Sequence, residues 1–127
     1  MNIIIEFTNF NIDNIFFYDP IKNNIIDDSN FVRIIYSDHN IILNGLYLQI
    51  NLDKIDKIDK THDLYAILET IENSILNKYK LNIEKVNRIK VQLQYIIKYI
   101  KTNKLVLKIS GIWENNNKIG LTYKFIY

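Results

Sequence analysis

The stretch LVLKISGIWENNNKIGLTYKFIY, residues 105–127, decides the fold that the sequence predicts. Its two arms, Leu105 to Trp113 and Ile119 to Tyr127, are rich in β-branched and aromatic residues, and the polar run Glu114 to Lys118 separates them. Apolar arms of this length on either side of a short polar run are typical of two antiparallel strands. The stretch therefore predicts a β-hairpin over these residues.

Side chains alternate between the two faces of a strand, so the second arm also predicts which of its residues lie together. Tyr123, Phe125 and Tyr127 share one face. Thr122 and Lys124 share the other. We expect Phe125 in the core, whereas core packing and ligand contact both remain open for Tyr127.

The same alternation in the first arm predicts Trp113 on the face of Leu107 and Ile109. Lys108 and Ser110 lie on the opposite face. Because Trp113 stands next to a polar turn, both core packing and ligand contact remain open for it.

Three apolar stretches upstream also predict strands: Asn2 to Phe10, Phe31 to Ser37 and Ile41 to Leu52. Asp38 to Asn40 has the length of a hairpin turn between the second and the third. Pro20, the only proline, interrupts regular pairing after the aromatic run at residues 16–18.

A helix is predicted after the charged run Asp53 to Lys60, which is too polar for a core and is expected to be an exposed connection. Asp63 is the expected N-cap, and the helix extends to about Lys78. Its apolar residues recur at helical spacing and are Leu64, Ile67, Leu68, Ile71 and Ile75.

The segment Ile83 to Ile100 satisfies both a helical and a strand period. Its straight-chain Lys, Arg and Gln residues favour a helix to about Tyr95. A strand is then predicted over Ile96 to Lys101.

These elements predict a single α+β domain over residues 1–127, with a helical insertion between the third and fourth strands. The order fits an OB-like barrel, which is a five-stranded Greek-key barrel that can hold a helix at this point. An antiparallel β-sheet covered by two helices fits almost as well.

Composition argues against several classes of function. The chain has no cysteine, so thiolate metal sites and disulfide scaffolds are excluded. His39 and His62 each adjoin one aspartate, which is fewer ligands than a metal site needs, and no nucleophile stands in a recognisable catalytic setting. We expect no enzyme activity, no metal and no cofactor.

Hydropathy argues against secretion and against a membrane span. The apolar opening Ile3 to Ile5 is cut by Glu6, and no run of about 18 apolar residues occurs. We therefore expect a protein that stays inside the cell and has no membrane partner.

Charge divides strongly along the chain. Residues 1–77 carry five basic and twelve acidic side chains, a net charge of −7, whereas residues 78–127 carry eleven basic and two acidic ones, a net charge of +9. A surface of this sign attracts polyanions. Single-stranded nucleic acids are held by cations along their backbone and by aromatic rings on which bases stack, and the basic half supplies both. The candidate nucleic-acid-binding residues are Arg88, Lys90, Tyr95, Lys108, Trp113, Lys118, Lys124 and Tyr127.

One further pattern supports this choice of residues if residues 83–95 are helical. Arg88, Gln92, Tyr95 and Tyr99 would then form one polar and aromatic stripe. A solvated helix face explains the same stripe at least as well.

Four segments resemble small uncharacterised proteins of nucleocytoplasmic large DNA viruses. They are Asp19 to Asn23, Asn44 to Tyr47, Lys108 to Glu114 and Ile119 to Phe125. Some of these viral proteins are suspected to be OB-fold single-stranded DNA-binding proteins. The resemblance implies such a role in the cytoplasm or nucleus of an infected host cell, at the viral factory.

Two functions therefore follow as hypotheses. The first is a non-enzymatic, OB-like protein that binds single-stranded nucleic acid through its basic, aromatic half. The second is a protein-interaction or viral assembly module, in which the acidic half of one copy meets the basic half of another copy or of a viral partner. The two halves could also compensate each other within one fold, which would need no ligand.

Overall fold

The computed structural model describes residues 3–22, 28–54 and 60–127, with only the backbone described at residues 54 and 60–62. The described residues form nine strands and two α-helices. The strands are β1 (Ile4–Glu6), β2 (Ile15–Phe17), β3 (Ile21–Lys22), β4 (Asn30–Ser37), β5 (Ile42–Asn44), β6 (Leu46–Asn51), β7 (Glu84–Val86), β8 (Lys104–Glu114) and β9 (Lys118–Ile126). The helices are α1 (Lys60–Tyr79) and α2 (Ile89–Ile96). The α+β class that the sequence predicted is confirmed.

The sheet is built around β8. One edge of β8 pairs with β9 in antiparallel register, and the other edge pairs with β6 over residues 104–109 and with β4 over residues 111–114. The predicted hairpin is therefore confirmed. Its turn is closed by Asn115, whose side-chain oxygen accepts hydrogen bonds from the backbone N–H groups of Asn117 and Lys118 at 2.9 and 2.8 Å.

The sheet is mixed and open, which corrects the expectation of an antiparallel sheet or a closed barrel. β1 runs parallel to β6, and β7 runs parallel to β9. The strand order is β1-β6-β8-β4-β2, and among the described residues β1 and β2 do not pair with each other to close the sheet.

The first helix follows the predicted third strand Ile41 to Leu52, as expected, but the structure has more strands before the helices than the three that were predicted. α1 lies between β6 and β7, and α2 lies between β7 and β8. One reason is Gly45, whose φ of +82° divides the predicted strand Ile41 to Leu52 into β5 and β6. This left-handed residue turns the chain from its pairing with β4 to its pairing with β8.

The turn between β4 and β5 matches the prediction. Asp38 accepts hydrogen bonds from the backbone N–H groups of Asn40 and Ile41 at 2.7 and 3.0 Å. These two donors lower the pKa of the Asp38 carboxyl. The Asp38 to Asn40 segment is therefore a specific turn rather than a featureless loop.

The first predicted strand, Asn2 to Phe10, is shorter than expected. β1 ends at Glu6, and a 3-10 turn over Phe7–Asn9 follows. Asn2 lies outside the described residues.

The start of α1 differs from the prediction. The helix begins at Lys60, so Asp63 lies inside its first turn and is not the N-cap. A carboxylate in the first turn still faces the positive end of the helix dipole. Of the predicted connection Asp53 to Lys60, Asp53 is exposed and residues 55–59 lie outside the described residues.

The secondary structure predicted for the segment Ile83 to Ile100 is only partly correct. Residues 89–95 are helical as expected, but the strand predicted over Ile96 to Lys101 is wrong, since Ile97–Tyr99 forms a 3-10 turn. The strand β7, which pairs with the first residues of β9, was missed. Helical burial of Ile89, Leu93 and Ile96 decides between the two periods.

The core lies between the two helices and one face of the sheet. The predicted apolar face of α1 is confirmed, with Ile67 partly buried and the other four residues buried. Phe125 is buried as expected. Neither helix is long and apolar enough to cross a membrane, as far as the described residues go.

Two buried carboxylates tie the helices to the rest of the fold. Glu114, 5% exposed, accepts hydrogen bonds from the Tyr79 hydroxyl at 2.9 Å and from Lys80 Nζ at 3.0 Å. Burial and this carboxylate together raise the pKa of Tyr79. Glu72, 1% exposed, accepts a hydrogen bond from the backbone N–H of Arg88 at 3.2 Å and so caps the start of α2.

We predict that Glu72→Gln flattens part of the pH dependence of stability. Burial raises the pKa of Glu72 above its ordinary value of 4.5, although backbone N–H groups at the start of α2 act to lower it. The folded state thus favours the protonated form, and the free energy of unfolding falls as the pH rises through the interval above 4.5. Glutamine keeps an acceptor oxygen but cannot ionise, so the free energy of unfolding of the variant should not fall in this way.

The measurement is urea unfolding of the natural and variant proteins at a series of pH values. The stability of the natural protein minus that of the variant should fall with rising pH. If plots of the free energy of unfolding against pH stay parallel for the two proteins across this interval, the assignment of a raised pKa to Glu72 is contradicted.

Candidate nucleic-acid interface

A one-residue β-bulge at Ser110 determines which side chains of β8 lie on the sheet face opposite the helices. Ile109 pairs with Tyr123, whereas Gly111 pairs with Thr122, so Ser110 is the extra residue. The bulge reverses the alternation of every residue after it. Trp113 therefore lies on the side of Lys108, and the expectation that Trp113 shares a face with Leu107 and Ile109 is wrong.

We call this side of the sheet the open face. It is defined by three rings and five cations, and the described helices lie on the other side. The rings are Phe31, Tyr47 and Trp113, and the cations are Arg33, Lys104, Lys108, Lys118 and Lys124.

Two glycines let the rings of Phe31 and Trp113 lie close to the sheet. Phe31 and Trp113 are neighbours in the pairing of β4 with β8. A Cβ atom added at Gly120 would lie 2.5 Å from Cζ2 of Trp113, and one added at Gly111 would lie 2.8 Å from Cζ of Phe31. Each ring thus covers a glycine, and both rings remain only half-buried.

The cations of the open face are crowded. Lys108 is directly opposite Lys124 in the β8–β9 register, and its Nζ lies 5.5 Å from the centroid of the Tyr47 ring. A cation–π contact of this length orients the ammonium group over the ring. Like charges directly opposite each other destabilise an antiparallel pair.

Few carboxylates neutralise this face. Glu84 is opposite Lys118 in the β7–β9 register, and Glu6 accepts a hydrogen bond from Gln49 Nε2 at 2.6 Å. Within the described parts of the chain, none of the five cations of the open face has a carboxylate oxygen within 4.0 Å. The face therefore carries an excess of positive charge.

Four of the candidate residues predicted from sequence lie on the open face, and these are Lys108, Trp113, Lys118 and Lys124. The other four lie on the helix side. Arg88 directly precedes α2, and Tyr95 on α2 is 70% exposed. Tyr127, 54% exposed, borders a shallow cleft with Gln92 and Ile96 of α2.

Lys90, the remaining candidate on α2, is partly engaged within the molecule. Its Nζ lies 3.9 Å from Oε1 of Glu69 and 5.7 Å from the centroid of the Tyr65 ring. The predicted residues are thus divided between two surfaces rather than gathered on one.

Sequence reasoning missed four residues of the open face, which are Phe31, Arg33, Tyr47 and Lys104. Alternation within the predicted strand Phe31 to Ser37 contained part of the signal, because it places Phe31 and Arg33 on one face. Their proximity to Lys108 could not be predicted from the sequence, since it depends on the pairing of β4 and β6 with β8.

The described residues contain no group of three or more His, Asp or Glu side chains that could hold a metal ion. His39 is exposed in its turn, and the side chain of His62 lies outside the described part. Comparisons with protein-family models, with curated proteins and with solved structures give no match for this chain. The chemistry of the site must therefore be argued from its own residues.

We predict that Gly120→Ala displaces the Trp113 ring. The added methyl group would overlap the ring, so the ring must lift from the sheet, and overpacking of this kind costs about 1–3 kcal/mol. Trp113 is the only tryptophan, so its fluorescence reports this ring alone. We expect emission shifted to longer wavelength and a lower free energy of unfolding.

Thr122→Ala is the matched control, because Thr122 lies on the same strand and face as Gly120 and its replacement by alanine adds no atom beneath Trp113. Its emission should equal that of the natural protein. Unchanged emission in Gly120→Ala would contradict the stacking of Trp113 on Gly120.

Proposed function

We propose that this protein is a non-enzymatic binder of single-stranded nucleic acid and that the open face is its interface. The observation that carries the proposal is the position of the half-buried rings of Phe31 and Trp113 beside cations that, among the described residues, have no carboxylate partner. Proteins bind single-stranded nucleic acid with this combination, since cations attract its phosphates and its bases stack on aromatic rings.

The crowding of Lys108 and Lys124 supports an anionic ligand. Their mutual repulsion costs stability in the free protein, and a phosphate bound between them would relieve it. A polyanion offers the most direct compensation.

The rings support a ligand with flat groups. Phe31 and Trp113 each have ring atoms close to a glycine, and both rings are only half-buried, which leaves ring surface for a base. A stacked base contributes about 1–3 kcal/mol whatever its sequence. This recognition is of the OB type, in which the strand surface receives the bases, although the sheet here is open.

The proposal includes a cellular setting. The resemblance to proteins of nucleocytoplasmic large DNA viruses suggests single-stranded nucleic acid of an infected host cell, at the viral factory in the cytoplasm or nucleus. Lysines and stacked rings recognise DNA and RNA through shared features, so the proposal covers both.

We predict that oligothymidylate binds the natural protein and quenches Trp113. Fluorescence titration at several salt concentrations should give a log-log slope of about −0.7 per neutralised phosphate. The double variant Lys108→Glu with Lys124→Glu should lose binding, because it replaces two attractive charges by two repulsive ones.

The matched control is Lys90→Glu with Lys98→Glu, which changes the net charge equally on the helix side. We expect it to retain most of the affinity. Loss of binding in this control, with retention in the open-face variant, would move the interface to α2. Absence of binding by the natural protein even at low salt would refute the function.

We also predict that Lys124→Glu alone stabilises the protein while weakening binding. It converts the like-charge pair with Lys108 into an opposite-charge pair, worth about 0.2–1 kcal/mol on a sheet. Urea unfolding measures the gain, and the oligothymidylate titration measures the loss. A variant that is destabilised would show that these two side chains do not repel each other in the free protein.

The same samples test the assembly function. Sedimentation of the natural protein without nucleic acid should give one size at low and at high salt. Oligomers that dissociate with salt would support association through the acidic and basic halves instead.

A further inference from the structure

A cleft on the open face brings residues of both charged halves together. It is lined by Phe31, Arg33, Asn44, Gly45, Leu46, Tyr47, Lys108 and Ser110, and its volume is about 200 Å³. A second cleft of about 420 Å³ shares three of these lining residues and continues past Tyr18, Asp19 and Ile21, so one carboxylate borders its far end. Together they reach the range of about 300–1,000 Å³ that is typical of small-molecule sites.

Close approach of two strands forms the floor of the first cleft. Gly45 lies against the bulge of β8, and a Cβ atom added to it would stand 3.2 Å from the carbonyl oxygen of Ile109. The backbone N–H of Gly45 donates to the carbonyl of Ile34 at 2.9 Å. The cleft is thus fixed where β4, β6 and β8 meet, rather than formed by loose loops.

Arg33 and Lys108 are the cations of this cleft. Arg33 is exposed and, among the described residues, has no carboxylate partner. Lys108 lines the same cleft, with its Nζ 5.5 Å from the centroid of the Tyr47 ring. A guanidinium fork with a nearby ammonium group is well suited to one phosphate group.

Phe31 lies in both clefts and supplies the flat surface beside these cations. Its ring rests on Gly111, so the ring is supported from beneath. Charge for a phosphate and a ring for a base therefore occur side by side.

We propose that the combined cleft is a subsite for one nucleotide, in which Arg33 and Lys108 bind a phosphate and Phe31 stacks the base. The inference rests on the proposed function and deepens it, because it assigns the anchoring nucleotide to a residue of the acidic half. Arg33 then contributes more to binding than the lysines at the ends of β8 and β9.

Calorimetric titration of the full chain with thymidine monophosphate, thymidine and inorganic phosphate tests the subsite. The monophosphate should bind at least about tenfold more tightly than either of its parts, since only it uses both the cations and the ring. Equal affinity for inorganic phosphate would reduce the site to an anion site and overturn the proposal. Displacement of the nucleotide by oligoglutamate at equal concentration would also overturn it.

Arg33→Gln should lower the affinity for thymidine monophosphate by about tenfold, because it removes the charged guanidinium group. Lys98→Gln is the matched control, since it removes one charge on the helix side, outside both clefts, and the affinity for the monophosphate should change less than about twofold. Urea unfolding of both variants verifies that they fold. An unchanged affinity in Arg33→Gln would overturn the assignment.

The two proposals fail in different ways. If oligothymidylate binds but the monophosphate does not, the nucleotide subsite is refuted and the single-strand interface stands. If the monophosphate binds and the oligonucleotide binds no more tightly, the interface is refuted and a nucleotide site remains.

Discussion

The bulge at Ser110 is the constraint on which both faces of the sheet depend. Before it, β8 buries Leu107 and Ile109, and after it the strand buries Ile112. With strict alternation, Trp113 would enter the helix side and Ile112 would face solvent. One unpaired residue therefore completes the core and at the same time places an indole ring beside the lysines of the open face.

Burial of particular carboxylates explains how positive charge stays available. Glu114, one of the two acidic residues after residue 77, is used within the fold by Tyr79 and Lys80. Glu72 is used at the start of α2. Because these carboxylates have internal partners, they do not neutralise the open face, and a net charge of +2 for the whole chain conceals a cationic surface.

Sequence patterns predicted the elements whose period extends over many residues. The β8–β9 hairpin and the apolar face of α1 are of this kind. Short elements such as β7 show no period over three residues, and their parallel pairing joins distant segments. The segment Ile96 to Lys101 was mistaken for a strand because local propensity does not show that Ile96 ends the buried helical face of α2 and that a 3-10 turn follows it.

The sequence by itself determined the α+β class, the main helix, the last hairpin and the surplus of positive charge after residue 77. Only the tertiary structure decided the strand register, the bulge and the meeting of Arg33 and Phe31 with Lys108. The physical reason is that a one-residue change of register moves side chains to the opposite face of a sheet, and long-range packing sets that register. The sequence therefore showed which cations and rings the chain contains, whereas only the structure showed which of them share one surface.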